Sequence, residues 1–162
     1  MKVVAENIGK HALGWLDMVT SSHPYLGDKL ECMYGISFYK ALEHLKPEQG
    51  KVFIVAGSLE RHSQDYEDFR RRLKDYQHQG LDVNVLIGSD MESRLEDITQ
   101  RATSVGVLLK PETAQFAFSE SPRQILCRID ENSNFSYFTP KPFDNVYSQF
   151  EDIFEELQKN QR

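Results

Sequence analysis

The side chains able to do chemistry are scattered along this chain and form no compact motif. Histidines stand at His11, His23, His44, His62 and His78. None of the HxH or HxxxH spacings that build a zinc site occurs among them. Cys32 and Cys127 are far apart and in no CxxC arrangement. They are expected as reduced thiols in strands or core, and not as a disulfide or metal pair. A serine nucleophile on a tight elbow needs GxSxG. Gly35-Ile36-Ser37 supplies the first half, but Tyr39 stands where the second glycine belongs. Neither the Walker loop nor GxGxxG is present, so the common nucleotide cradles are absent. No metal and no cofactor are expected.

What remains is a set of polar residues beside two apolar runs that end in glycine. Ser58, Arg61 and His62 follow Val52-Phe53-Ile54-Val55-Ala56-Gly57. Ser89 and Asp90 follow Leu81-Asp82-Val83-Asn84-Val85-Leu86-Ile87-Gly88. Arginine, histidine and hydroxyl side chains in such a place suit a small polar or anionic ligand, through charge-assisted hydrogen bonds. Arg123 and Asp130 are expected to join this site from a later hairpin. Two other charged stretches read as solvated faces. Arg70-Arg71-Arg72 follows Glu67 and Asp68 at the favourable i,i+4 spacing. Glu151, Asp152, Glu155 and Glu156 fall on the outer side of the last helix.

The elements that must position these residues follow from periodicity. The run 52–56 is a strand, and 81–87 is a second. Between them, Tyr66, Phe69, Leu73 and Tyr76 alternate by three and four, which is one face of a helix over 63–79. Gly80 stops it. Strand, helix and strand with short joints make a right-handed parallel crossover with adjacent or near-adjacent central strands. Upstream, the pattern predicts a helix over 2–19, a strand over 30–34 and a helix over 36–46. Trp15, Tyr34, Phe38 and Tyr39 are expected in the core. Downstream it predicts a helix after Ser89 or Asp90, with Met91, Leu95, Ile98 and Ala102 inward. Strands over 105–109, 115–118, 123–130 and 135–139 follow, then a helix over 143–159. Alternation first and a meander later imply α/β: a mixed, largely parallel sheet with helices on both faces.

With 162 residues the chain is expected to be one domain, with an N-terminal helix and turn in 1–27 and a core over 28–160. Apolar content of 40% is enough for a packed core. No apolar run of membrane-spanning length and no signal-peptide core occur, so the expected location is the cytoplasm. A net charge of −6 disfavours direct nucleic-acid binding and anionic membranes, leaving room only for a local basic patch.

Residues from about 28 to 157 resemble one lobe of the phospholipase D superfamily. They are more similar to the effector domain that follows the DNA-binding helices of TrmB-type transcriptional regulators. The resemblance rests on Met33-Tyr34-Gly35 opening a helix, the run 52–57 and the segment 79–86. It continues with Ile129-Asp130-Glu131-Asn132 and ends with Phe150-Glu151-Asp152-Ile153-Phe154-Glu155-Glu156-Leu157. It implies a single lobe that self-associates, as a homodimer. Catalytic relatives carry His-x-Lys, then four residues, then Asp. Setting that Asp on Asp130 puts Arg123 in the place of the histidine and Ile125 in that of the lysine. Elsewhere His44-Leu45-Lys46 matches the first half, but Lys51 takes the acid's place. Arginine stays protonated and cannot replace the imidazole nucleophile. The resemblance therefore implies a non-catalytic domain for ligand sensing or protein interaction, in transcriptional or signalling regulation. A phosphodiesterase or nuclease-type hydrolase with an atypical site is the second reading. No helix-turn-helix is evident in 1–30, so DNA contact would need another segment or chain. A receiver-like domain ranks last, because Ala56-Gly57-Ser58 lacks the acid that group places after its strand.

Overall fold

The computed structural model describes residues 27–57, 63–109, 114–128, 134–140 and 145–161. The helix expected over 2–19, with Trp15, lies outside them. The elements are β1 (Gly27–Met33), α1 (Phe38–Ala41) running into a 3-10 turn (Leu42–His44), and β2 (Gln49–Gly57). Next come α2 (Ser63–His78), β3 (Asp82–Ile87), a 3-10 stretch (Ser89–Arg94), α3 (Leu95–Thr99) and β4 (Ser104–Val107). The chain continues with β5 (Phe116–Ser121), β6 (Arg123–Arg128), β7 (Phe135–Pro140) and α4 (Val146–Gln158).

The crossover at the centre forms as its sequence dictates. Tyr66, Phe69, Leu73 and Tyr76 are all buried. Gly80 takes φ 75, the left-handed region that ends a helix at little cost only for glycine. Leu81 N–H then donates back to the Tyr76 carbonyl at 3.2 Å. β2 and β3 are neighbours in parallel register, Val52 opposite Val83 and Val55 opposite Leu86.

Seven strands form one mixed sheet in the order β1-β7-β6-β5-β2-β3-β4. Its parallel part is smaller than expected. Only β2–β3 and β3–β4 are parallel, and the other four pairings are antiparallel. The cause is the connections. Pro122 alone separates β5 from β6, and a joint that short can only reverse a strand, because a parallel return needs a crossover.

Both faces are covered, as the α/β class requires. On one face α1, α2 and α3 bury Phe69, Leu73 and Ile98 against Val52, Ile54 and Ala56. On the other, α4 buries Phe150, Ile153 and Phe154 against Val55, Phe116 and Phe118. Successive residues of β2 thus serve opposite cores, the period of two of any strand.

Three local expectations change. The helix expected over 36–46 ends at the 3-10 turn. Leu45 is extended at ψ 108, Lys46 donates its N–H to Gln124 Oε1 at 3.0 Å, and Pro47 disfavours helix at the residue before it. The helix expected from Asp90 starts as a 3-10 stretch and is α-helical only over Leu95–Thr99, although Met91 and Ile98 are buried. Tyr34 is 70% exposed, in the loop beyond β1, while Phe38 and Tyr39 are buried.

Cys32 and Cys127 are both free thiols. Each lies opposite Ser136 in register, so β7 separates them. Two strand spacings come to about 9.6 Å, beyond the reach of a disulfide. Burial, with a smaller push from Cys32, raises the Cys127 thiol to about 12, which leaves it unreactive. Among the described residues no helix is long and apolar enough to cross a membrane.

At the β4 edge, Leu109 N–H donates to the Asn160 carbonyl at 3.0 Å, and Gln161 lies over Gly106. A Cβ at Gly106 would collide with Gln161 Oε1 and stand 2.7 Å from Leu86 Cδ2. Gly106→Ala is expected to lower stability by about 1–3 kcal/mol through overpacking. Thermal unfolding checks this, and an unchanged midpoint would show that the tail yields freely.

Candidate ligand-binding edge

β2 and β3 end side by side at Gly57 and Gly88, with Gly88 N–H donating to the Gly57 carbonyl at 3.1 Å. Gly57 takes φ 62, which turns the backbone sharply away from the sheet. α2 starts at this carboxyl edge, because it must return to the start of β3. β3 follows β2 on one side, while β5 flanks β2 on the other. Ligands of open α/β sheets bind outside the carboxyl ends of the parallel strands, which makes this edge the candidate site. Ser89, half-buried, and Asp90, exposed, stand here. Ser58, Arg61, His62 and Asp130 lie outside the described residues.

Two residues that sequence reasoning missed occupy this edge. Gln115 is 5% exposed and sits between β2 and β6. Its Nε2 donates to the Ala56 carbonyl at 3.1 Å, and its Oε1 accepts from Arg128 Nη1 at 3.1 Å. Arg128 N–H also donates to the Gln115 carbonyl at 3.0 Å. The amide thus fixes the guanidinium against the end of β2. The only sequence signal was a polar side chain at the lip of each apolar run.

The structure does not bring Arg123 to this edge. Ser121 pairs with Gln49 and Glu120 with Arg123, so β6 begins at the amino edge of the sheet. Arg128 lies five positions along β6 from Arg123, about 17 Å at the usual strand rise. Arg123 stacks over Tyr147 of α4, its Cζ 4.6 Å from the ring centroid. The hairpin fixes this: β5 runs back to the amino edge before β6 starts.

The arginines of α2 are paired with acids, as expected, but with other partners. Arg70 reaches Glu67 at 2.9 Å and Asp97 at 2.9 Å. Arg71 reaches Asp68 at 3.6 Å, and Arg72 reaches Asp75 at 3.8 Å and Glu43 at 3.9 Å. The in-helix pairs are three apart and not four, which is equally adjacent on a helix. Asp97 also binds Arg101 at 3.4 Å and accepts from the Tyr66 hydroxyl. Burial alone would raise the Asp97 carboxyl. The hydroxyl and the two arginines outweigh it and hold the group below the ordinary range.

His44 lies 3.4 Å from Glu31 and against Tyr137, and His78 ends α2, so neither described imidazole stands at the carboxyl edge. Among the described residues no group of three or more His, Cys, Asp or Glu could hold a metal.

The arrangement has known counterparts in fold. No family model matches the chain, and no curated protein matches its sequence. The solved structure of TrmBL2, an archaeal chromatin protein with a novel mode of DNA binding, matches with a TM-score of 0.56 and 10% identity. The match covers 99% of this chain and 65% of that one, so the chain spans about two-thirds of TrmBL2. Nuc from Salmonella typhimurium, a phospholipase D family member, matches with a TM-score of 0.63 and 10% identity. There the cover is 83% of this chain and 96% of Nuc. The fold is therefore phospholipase-D-like, and similar to that of TrmBL2. One expectation falls with this finding. The acidic balance of the sequence argues against direct nucleic-acid binding, yet a protein of this fold is a chromatin protein that binds DNA. Net charge sums the whole surface, whereas phosphate contacts are made locally.

Proposed function

We propose that this chain is a regulatory domain working on, or in a complex with, nucleic acid, and that its carboxyl edge binds a ligand without turning it over. The relay from Arg128 through Gln115 to Ala56 carries the reading. It spends a buried amide on aiming a guanidinium, which suits holding an anionic group. The neighbouring thiol, Cys127, is fully buried in the core on the α4 face, and no imidazole stands beside the relay among the described residues, so the edge offers a grip and no obvious nucleophile. The likeness to TrmBL2 supports the setting in which such binding would be read out.

Incubation of the full chain with bis(p-nitrophenyl) phosphate tests the reading. The expected hydrolysis is that of buffer alone. Turnover that disappears in Asp130→Ala would replace it with an atypical hydrolase. A thermal-shift screen of sugars, sugar phosphates and nucleotides, repeated on Arg61→Ala and Arg128→Ala, is expected to find an anionic ligand. Its stabilisation should fall in at least one variant. Stabilisation untouched by both would remove the ligand from this edge.

A further inference from the structure

A small cleft opens at the amino edge of β3, on the face that α2 and α3 cover. Its walls come from the last turn of α2, the start of β3 and the joint between α3 and β4, all within the described residues. Gln77, Leu81, Val83, Arg101, Ala102 and Thr103 line a cavity of about 160 Å³. A cavity of about 150 Å³ admits benzene, so a small organic molecule fits. Leu81 and Val83 are buried and make an apolar floor. Gln77 and Thr103 are exposed and make a polar rim, and Arg101 and Ala102 are half-buried. The lining holds one cation and no acid.

The polar groups of this lining are held from behind. Arg101 Nε reaches Asp97 Oδ1 at 3.4 Å. Asp97 is itself fixed by Arg70 Nε at 2.9 Å and by the Tyr66 hydroxyl. The carboxylate engages the Nε side of the guanidinium, which leaves the Nη groups to a ligand. Gln77 Nε2 donates to the Gln100 carbonyl at 3.3 Å, which keeps its second N–H and its Oε1 in reserve. Thr103 Oγ1 accepts from Val83 N–H at 2.9 Å, so its hydroxyl hydrogen can donate. The carboxyl end of α2 points here, and its dipole disfavours an anion. Its last carbonyls are met: Asp75 by Gln79 N–H, Gln77 by Gly80 N–H and Tyr76 by Leu81 N–H. That blunts the opposing field and leaves Arg101 as the charge that faces the cleft.

We infer that this cleft binds a small carboxylic acid with a short apolar tail, in its ionised form. A planar carboxylate matches the planar guanidinium, and the rim supplies further donors. The tail lies on Leu81, Val83 and Ala102 and leaves no polar group against them. Phosphate or sulfate would set oxygens against that floor without partners, which costs free energy. An amine would meet Arg101 as a like charge. The cleft lies at the opposite edge of the sheet from Gly57 and Gly88, and the inference does not depend on what binds there.

The test is a ligand-detected NMR titration of the full chain with sodium acetate, sodium butyrate and butyramide, at an ionic strength held constant with sodium chloride. The wild type is expected to bind butyrate saturably and more tightly than acetate, because the longer tail buries more apolar surface. Butyramide has the same shape without the charge and should bind about tenfold more weakly or worse. Ala102→Leu fills the cleft from a half-buried position and should abolish butyrate binding while the protein stays folded. Arg101→Met keeps the apolar stem and should bind butyrate no better than butyramide. It also gives up the Asp97 contact, so thermal unfolding of each variant checks the fold, and either folded variant decides the question. Butyrate that fails to saturate on the wild type at tens of millimolar overturns the inference. So does butyrate binding that survives unchanged in Ala102→Leu. Butyramide bound as tightly as butyrate would remove Arg101, and with it the carboxylate, from the site.

Discussion

Phe118→Ala is expected to cost about 3–5 kcal/mol of stability, the range for truncating a buried phenylalanine. Phe118 is fully buried in β5, between β2 and β6. Its ring stacks on Phe53 at 4.7 Å and meets Tyr147 edge-on at 5.5 Å and Phe154 at 6.1 Å. Phe116 and Phe150 complete the surround at 6.3 Å each. These rings come from two strands and a helix that are each fixed elsewhere. They cannot all move inward, so a cavity persists and its cost adds to the lost transfer energy. Domains of this size are stable by only about 5–15 kcal/mol, so the variant should be near its limit at ambient temperature. Urea unfolding with an unchanged slope would report the loss. A loss below about 1 kcal/mol would mean that α4 collapses onto the gap and that its packing is not fixed.

The part of the fold legible in the sequence is the part governed by local periodicity. Tyr66, Phe69, Leu73 and Tyr76 mark α2 because a helix face repeats every three or four residues, and all four are buried. The runs ending at Gly57 and Gly88 mark β2 and β3, and the crossover rule makes them parallel neighbours. Strand direction in the second half was harder to read. The alternation over 123–130 identifies a strand but says nothing about where it starts. Only the pairing of Glu120 with Arg123 shows that it starts at the amino edge. That single reversal moved Arg123 away from Ser89 and Asp90.

The buried polar residues were not legible for a different reason. Gln115 and Gln124 are 5% and 3% exposed, on the same face as α2 and near opposite ends of the sheet. Gln124 accepts from the Tyr137 hydroxyl at 2.6 Å and from Lys46 N–H at 3.0 Å, and donates to Ser119 at 3.2 Å. Each of those partners is remote in sequence or lies across a turn. A glutamine beside an apolar run reads as exposed until its partners are known, because burial costs it dearly only when they are missing. The acidic total of the chain hid local features in the same way. Asp97 neutralises part of the Arg70 and Arg101 charge, while Arg94 packs on the Tyr66 ring at 4.2 Å.

Gln115→Leu is expected to cost about 2–4 kcal/mol and to weaken whatever anionic ligand the carboxyl edge holds. The substitution keeps the volume roughly constant, so little of the loss is a packing effect. It removes the donor that satisfies the Ala56 carbonyl and the acceptor that fixes Arg128. Ala56 is fully buried, so its carbonyl loses a partner where water cannot replace it. A hydrogen bond to a charged group is worth about 1.5–3 kcal/mol, so losing the Arg128 contact adds to the cost. The guanidinium regains rotamer freedom, and a ligand must then order it on binding, which lowers affinity without altering any direct contact. Urea unfolding gives the first part. Titration with the anionic ligand found in the screen gives the second. A Gln115→Leu protein as stable as the wild type would show that Ala56 and Arg128 find other partners, and the relay would no longer support a binding site at this edge.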